Sequence, residues 1–98
     1  MDKTEVSIII PAYNEAQTIG KVISEIRALY PDFEIIVIDD GSSDGTGSVA
    51  SDVGAMVYKH PYNIGNGAAI KSGIRIASGE ILVFMDGDGS TTRRTLRN

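Results

Sequence analysis

Four short runs of β-branched and aliphatic residues, each closed by turn-forming residues, restrict the fold more than any other feature of the sequence. They are Val6–Ile10, Glu34–Ile38, Ala55–Tyr58 and Glu80–Met85, bounded by Gly, Pro, Asp or Asn. Each is too short for a buried helix and is read as a strand. They are apolar almost throughout rather than alternating, as expected of strands covered on both faces in a parallel sheet.

Helix-like segments separate the runs. Ile19, Val22, Ile23, Ile26 and Leu29 fall at helical spacing, with Asn14 and Gln17 placed as a capping box and Pro31 as a stop. Asp44 is read as the cap of a shorter helix over residues 45–53, ended by Gly54. Ala68, Ala69, Ile70, Ile74 and Ala77 form a third stripe ending at Gly79. The order β-α-β-α-β-α-β, with short right-handed crossovers, predicts an α/β fold, a Rossmann-like open parallel sheet with helices on both faces. One domain is expected over residues 1–89. The tail, 90–98, has a single apolar residue, Leu96, and no periodicity, which predicts an irregular or disordered segment. A sheet of four strands leaves an edge open, a route to self-association.

Composition removes several function classes. All thirteen acids lie in residues 1–89, and three of the nine basic residues (Arg93, Arg94 and Arg97) lie in the last nine, within a net charge of −4. An acidic body argues against a nucleic-acid-binding surface. The absence of cysteine removes disulfides, thiolate chemistry and thiolate zinc sites, and is compatible with a cytoplasmic protein. No apolar run reaches the ~18 residues that span a bilayer. The N-terminus leads straight into a strand, so no signal peptide is expected.

Ligands of open α/β sheets bind at the carboxyl ends of the strands. Three strands here end in polar residues: Pro-Ala-Tyr-Asn-Glu at 11–15, Asp-Asp-Gly-Ser-Ser-Asp at 39–44 and Asp-Gly-Asp-Gly at 86–89. If these strands are neighbours, Glu15, Asp39, Asp40, Asp86 and Asp88 share one rim, and their repulsion calls for cations or donor groups. Asp86 and Asp88 suit a hard cation such as Mg²⁺ or Mn²⁺, completed by water and phosphate oxygens. Gly87 and Gly89 would let a pyrophosphate approach the backbone. By itself this stretch is as readily an ordinary acidic turn. Asp39 and Asp40 likewise suit turn chemistry, or acceptance from a base N–H or ribose hydroxyl. Asn14 reads first as a helix cap, and Tyr13 as a core residue or a platform on which a base stacks. The stretch 65–72 imitates a phosphate-loop motif, but Ile70 stands where glycine is required and the motif follows the wrong strand. Lys71 reads as a solvated helix lysine or a phosphate contact, and His60, the sole histidine, first as a structural residue.

Taken together, residues 6–15, 35–46, 60–70 and 84–89 resemble the family 2 glycosyltransferases of the GT-A fold, and most nearly the polyprenyl-phosphate sugar transferases. The resemblance implies transfer of a hexose, with inversion, from a UDP- or GDP-linked sugar, with a lipid phosphate as a candidate acceptor. It implies that Pro11, Tyr13 and Glu15 contact the nucleoside and that Val37 and Asp39 hold the base. It implies that Asp86 and Asp88 are the catalytic, metal-binding pair, with Gly87 against the diphosphate. Relatives of this kind continue the acidic turn with Gln-His and a proline, where this chain reads Ser90, Thr91 and Thr92. The chain is therefore expected to be an N-terminal fragment that is inactive alone, from a parent at the cytoplasmic face of a membrane. The alternative reading is a non-catalytic nucleotide-binding module.

Overall fold

The structure, a computed structural model, describes residues 5–88 and 92–96. The roles expected of Gly89 and of the start of the tail lie outside the described residues. Five strands and three helices follow in the order β1 (Val6–Ala12), α1 (Ala16–Leu29), β2 (Glu34–Asp39), α2 (Thr46–Asp52), β3 (Met56–Lys59), α3 (Asn66–Ile76), β4 (Ile81–Met85) and β5 (Thr92–Leu96). The sheet order is β3-β2-β1-β4-β5. The first four strands run parallel, and the order reverses at β1; β3, at the edge, is largely exposed rather than covered on both faces.

The strands divide their side chains between two cores. Ile8, Ile10 and Ala12 of β1 and Ile35 and Val37 of β2 pack with Ile19, Ile23 and Ile26 of α1 and Ala50 of α2. Ile9, Ile36, Ile38 and Leu82 pack on the other face with Ala69 of α3 and Ala77. Alternate residues of one strand thus serve opposite layers, which is why the runs show no polar phase. At the amino end of the sheet, the fully buried Ser7 Oγ donates to Glu34 Oε1 (2.6 Å) and accepts from Gly79 N (2.8 Å). That exchange ties the α3–β4 turn to β1 and β2.

Two expectations are corrected. Residues 92–96 of the tail are not irregular; they form β5, antiparallel to β4 with Met85 opposite Thr92 and Ile81 opposite Leu96. The outer edge of β4 offers a row of unpaired backbone donors and acceptors, and an extended segment that follows it can satisfy them whatever its side-chain pattern. Capping also differs. The N-cap of α1 is Glu15, without a side-chain cap bond, and that of α2 is Gly45 in the left-handed region (φ 85°). Asn14, at φ 53°, lies before the helix rather than capping it.

Helix α3 crosses β1 at Gly73, where an added Cβ would overlap the Cγ2 methyl of the fully buried Ile9. Gly73→Ala is therefore expected to destabilise the chain by ~1–3 kcal/mol, despite the ~1 kcal/mol helix-propensity gain of alanine. A lower urea midpoint at unchanged slope is the expected result, and a raised midpoint would contradict this packing.

Candidate functional site

Parallel register places the ends of β1 and β2 side by side, with Ala12 opposite Asp39, and β4 on the other flank of β1. The loops after these strands, with the start of α3, enclose a cleft of about 310 Å³. Pro11, Ala12, Tyr13, Glu15, Asp40, Asn63, Gly65, Asn66, Ala69, Asp86, Gly87 and Asp88 line it.

The loops are held by side chains that reach between them. Ser42 Oγ accepts from Asn14 N (2.8 Å), and Asn14 Oδ1 accepts from Ser43 N (2.9 Å). Thr46 Oγ1 accepts from Glu15 N (2.9 Å). Asp44 accepts from Thr46 N through Oδ1 (3.1 Å) and from Ala16 N through Oδ2 (3.2 Å). The acid expected to cap α2 thus also serves the first turn of α1. The hydrogen bond from the Thr46 hydroxyl is the main cause holding the Asp44 carboxyl below the usual carboxylate value.

Of the residues singled out in the sequence, Pro11, Tyr13, Glu15, Asp86, Gly87 and Asp88 come together on this cleft. Tyr13 is 49% exposed, so its ring stands at the rim rather than in the core. Val37 and Asp39 are not among the lining residues; they are 0% and 1% exposed, on the layer facing α1 and α2. Asp39 Oδ1 accepts from Ser42 N (3.0 Å), a turn contact. Lys71 is likewise not among the lining residues. The acid of the second strand that does line the cleft is Asp40. Strand parity contains that signal, because Ile36, Ile38 and Asp40 alternate with Val37 and Asp39, and Ala69 of α3, which also lines the cleft, packs with Ile36 and Ile38.

The lining carries four carboxylates (Glu15, Asp40, Asp86 and Asp88) and no Lys, Arg or His among the described residues. Burial raises the pKa of Glu15; a hydrogen bond from Tyr13 N opposes this, and the negative charges of Asp88, Asp86 and Asp44 add to it. Burial also acts to raise Asp40, but hydrogen bonds from His60, Ile64 N and Gly65 N outweigh it and hold that carboxyl below its ordinary value. Among the described residues no group of three acidic or histidine side chains is placed to hold one cation. The donor set nevertheless fits a hard divalent ion whose remaining ligands are phosphate and water oxygens. Asp86 and Asp88 offer carboxylate oxygens, and their negative charges add to the burial that raises Glu15. Gly87 backs this group, since an added Cβ would displace the Glu15 carboxylate.

Residues 7–98 match the family model described as glycosyl transferase family 2. The chain belongs to that family. A dolichyl-phosphate beta-glucosyltransferase of Trichomonas vaginalis is 35% identical over 100 residues, covering 88% of this chain and 31% of the relative. Mannosyl-3-phosphoglycerate synthase from Rubrobacter xylanophilus superimposes with a TM-score of 0.79 at 33% identity, over 87% of this chain and 31% of that one. Glucosyl-3-phosphoglycerate synthase from Mycobacterium tuberculosis, solved with Mn²⁺, UDP-glucose and phosphoglyceric acid, superimposes at 0.75 with 35% identity, over 86% and 33%. It has also been solved with Mg²⁺ and UDP. The chain spans about a third of the length of each of these proteins. The open sheet expected from the sequence is the architecture shared with them. Among the described residues no helix is long and apolar enough to cross a membrane.

The raised pKa of Glu15 has a definite sign. Its folded-state value lies above its unfolded one, so its contribution to stability is present below the ordinary value of 4.5 and lost as pH rises through the folded value. Glu15→Gln keeps an acceptor for Tyr13 N and removes that loss. We expect the variant to be more stable than the parent at pH 7, with the gain disappearing below pH 4.5. Equal or lower stability at neutral pH, read by thermal melts across pH, would contradict the assigned electrostatics.

Proposed function

We propose that the rim cleft binds a nucleoside diphosphate sugar together with a divalent cation, as the donor-binding part of a hexosyltransferase. The observation that carries this reading is a cleft lined by four carboxylates and, among the described residues, no basic side chain, beside an exposed aromatic ring. Such a lining repels a diphosphate unless a cation lies between them. Tyr13, with Pro11 beside it, is suited to stack on the base, and Glu15 to accept from the nucleoside. Uridine is the favoured base, in view of the structural neighbours solved with UDP.

Asp86 and Asp88 would hold the Mg²⁺ or Mn²⁺, with Gly87 leaving room for the diphosphate. The bound ion supplies charge neutralisation of the departing diphosphate. Asn63, Gly65 and Asn66 form the facing wall and orient the donor, while the packed strands beneath keep the rim rigid. A polyprenyl phosphate is the proposed acceptor, supported by the dolichyl-phosphate relative. Its phosphate is already ionised near neutral pH, so a site built from positioning and charge, without a strong general base, suffices. An acceptor of this kind would bring the parent protein to a membrane surface.

Calorimetric titration with UDP and with GDP, in Mn²⁺ and then in EDTA, tests the reading. We expect UDP binding that needs Mn²⁺ and weakens ~10-fold or more in Asp88→Asn, because affinity follows ligand charge count. Nucleotide binding indifferent to EDTA and to that substitution would overturn the metal-dependent reading in favour of a plain nucleotide-binding module.

A further inference from the structure

His60 lies under the wall of the cleft and is not among its lining residues. It is 4% exposed, and both ring nitrogens are engaged. Nδ1 is 2.7 Å from Asp40 Oδ1, and Nε2 is 2.9 Å from Ser72 Oγ on α3. Asp40, also 4% exposed, accepts three further bonds from the loop that follows His60. Ile64 N donates to Oδ1 (3.0 Å), and Gly65 N (2.9 Å) and Asn63 Nδ2 (3.0 Å) donate to Oδ2. Four donors use the four lone-pair directions of the carboxylate. The loop also presses on the β2–α2 turn, since an added Cβ at Gly41 would overlap the backbone of Tyr62 and Asn63.

The order Asp-His-Ser has the connectivity of a hydrolytic triad. A nucleophile must reach a substrate, however, and here the imidazole is buried and neither His60 nor Ser72 lines the cleft. A different role fits. Because Asp40 only accepts, Nδ1 must carry the proton it receives, which fixes the ring with Nε2 towards α3. The imidazole therefore joins three pieces: the end of β2, the loop over 60–65, and α3.

We propose that His60 is a positioning residue for the cleft: through Asp40 and Ser72 it sets the loop bearing Asn63 and Gly65 against the start of α3. The wall is preorganised by a buried chain of hydrogen bonds with a charged acceptor at its centre, the kind whose loss costs most. Its effect on ligand affinity rests on the nucleotide reading above, whereas the loop geometry does not.

The test is amide hydrogen exchange by NMR on the ¹⁵N-labelled chain and on His60→Ala, His60→Asn and Ser72→Ala, with UDP–Mn²⁺ affinity measured alongside. In His60→Ala we expect the Ile64 and Gly65 amides to exchange ~10-fold faster or more, relative to the sheet amides of Ile9 and Ile36. His60→Asn places an amide N–H where Nδ1–H stood and is expected to restore most of that protection. Unchanged protection at Ile64 and Gly65, or a loss only in step with the sheet, would overturn the proposal. If His60→Ala does not fold, Ser72→Ala is judged by the same local-against-sheet comparison. UDP affinity should fall in His60→Ala and recover in His60→Asn. A parent that binds no UDP would count against the nucleotide reading alone, since the exchange comparison still decides the role of His60.

Discussion

Burial of a parallel sheet on both faces is the constraint on which the remaining features depend. Once β1 and β2 are covered by α1 and α2 on one side and α3 on the other, polar chemistry is confined to the strand ends. Parallel direction then puts three carboxyl ends on one rim, and the reversal of strand order at β1 opens a crevice there. The acids gather in that crevice because the topology leaves them no other common location.

What separates the rim acids is how their charge is met. Asp40 and Asp44 are satisfied by the chain itself, through donors from the 60–65 loop and from the first turns of α1 and α2, and both have lowered pKa values. Glu15 is raised, by burial first and by the charges of Asp88, Asp86 and Asp44 after it. The first group builds the loops; the second leaves a concentration of negative charge at the mouth of the cleft. A site arranged in this way has rigid walls and an electrostatic demand that a cation–diphosphate pair would meet.

The central strands β1 and β2 were legible because burial on both faces leaves an unambiguous mark, and Ile19, Ile23 and Ile26 record the inner face of α1 directly. Loop roles were less so. Asn14 and Asp44 have cap-forming side chains, but which helix each serves depends on two turns distant in sequence meeting in space. The choice between Asp39 and Asp40 was available from strand parity, yet adjacent acids at a strand end look equivalent until the flanking layers are assigned. Strand β5 was hidden because an edge is completed by backbone pairing, which leaves little trace in a segment as polar as residues 92–96.

Paramagnetic broadening by Mn²⁺ in the presence of UDP, followed amide by amide, tests the central claim most directly. The cation should sit at the carboxyl rim, so the amides of Tyr13, Glu15, Asp86 and Asp88 should broaden first. Those of Ser7 and Ser78, at the opposite end of the sheet, should stay sharp. Broadening spread over surface acids such as Glu25 and Asp52, with the rim amides unaffected, would contradict a nucleotide–metal site at the ends of β1 and β4.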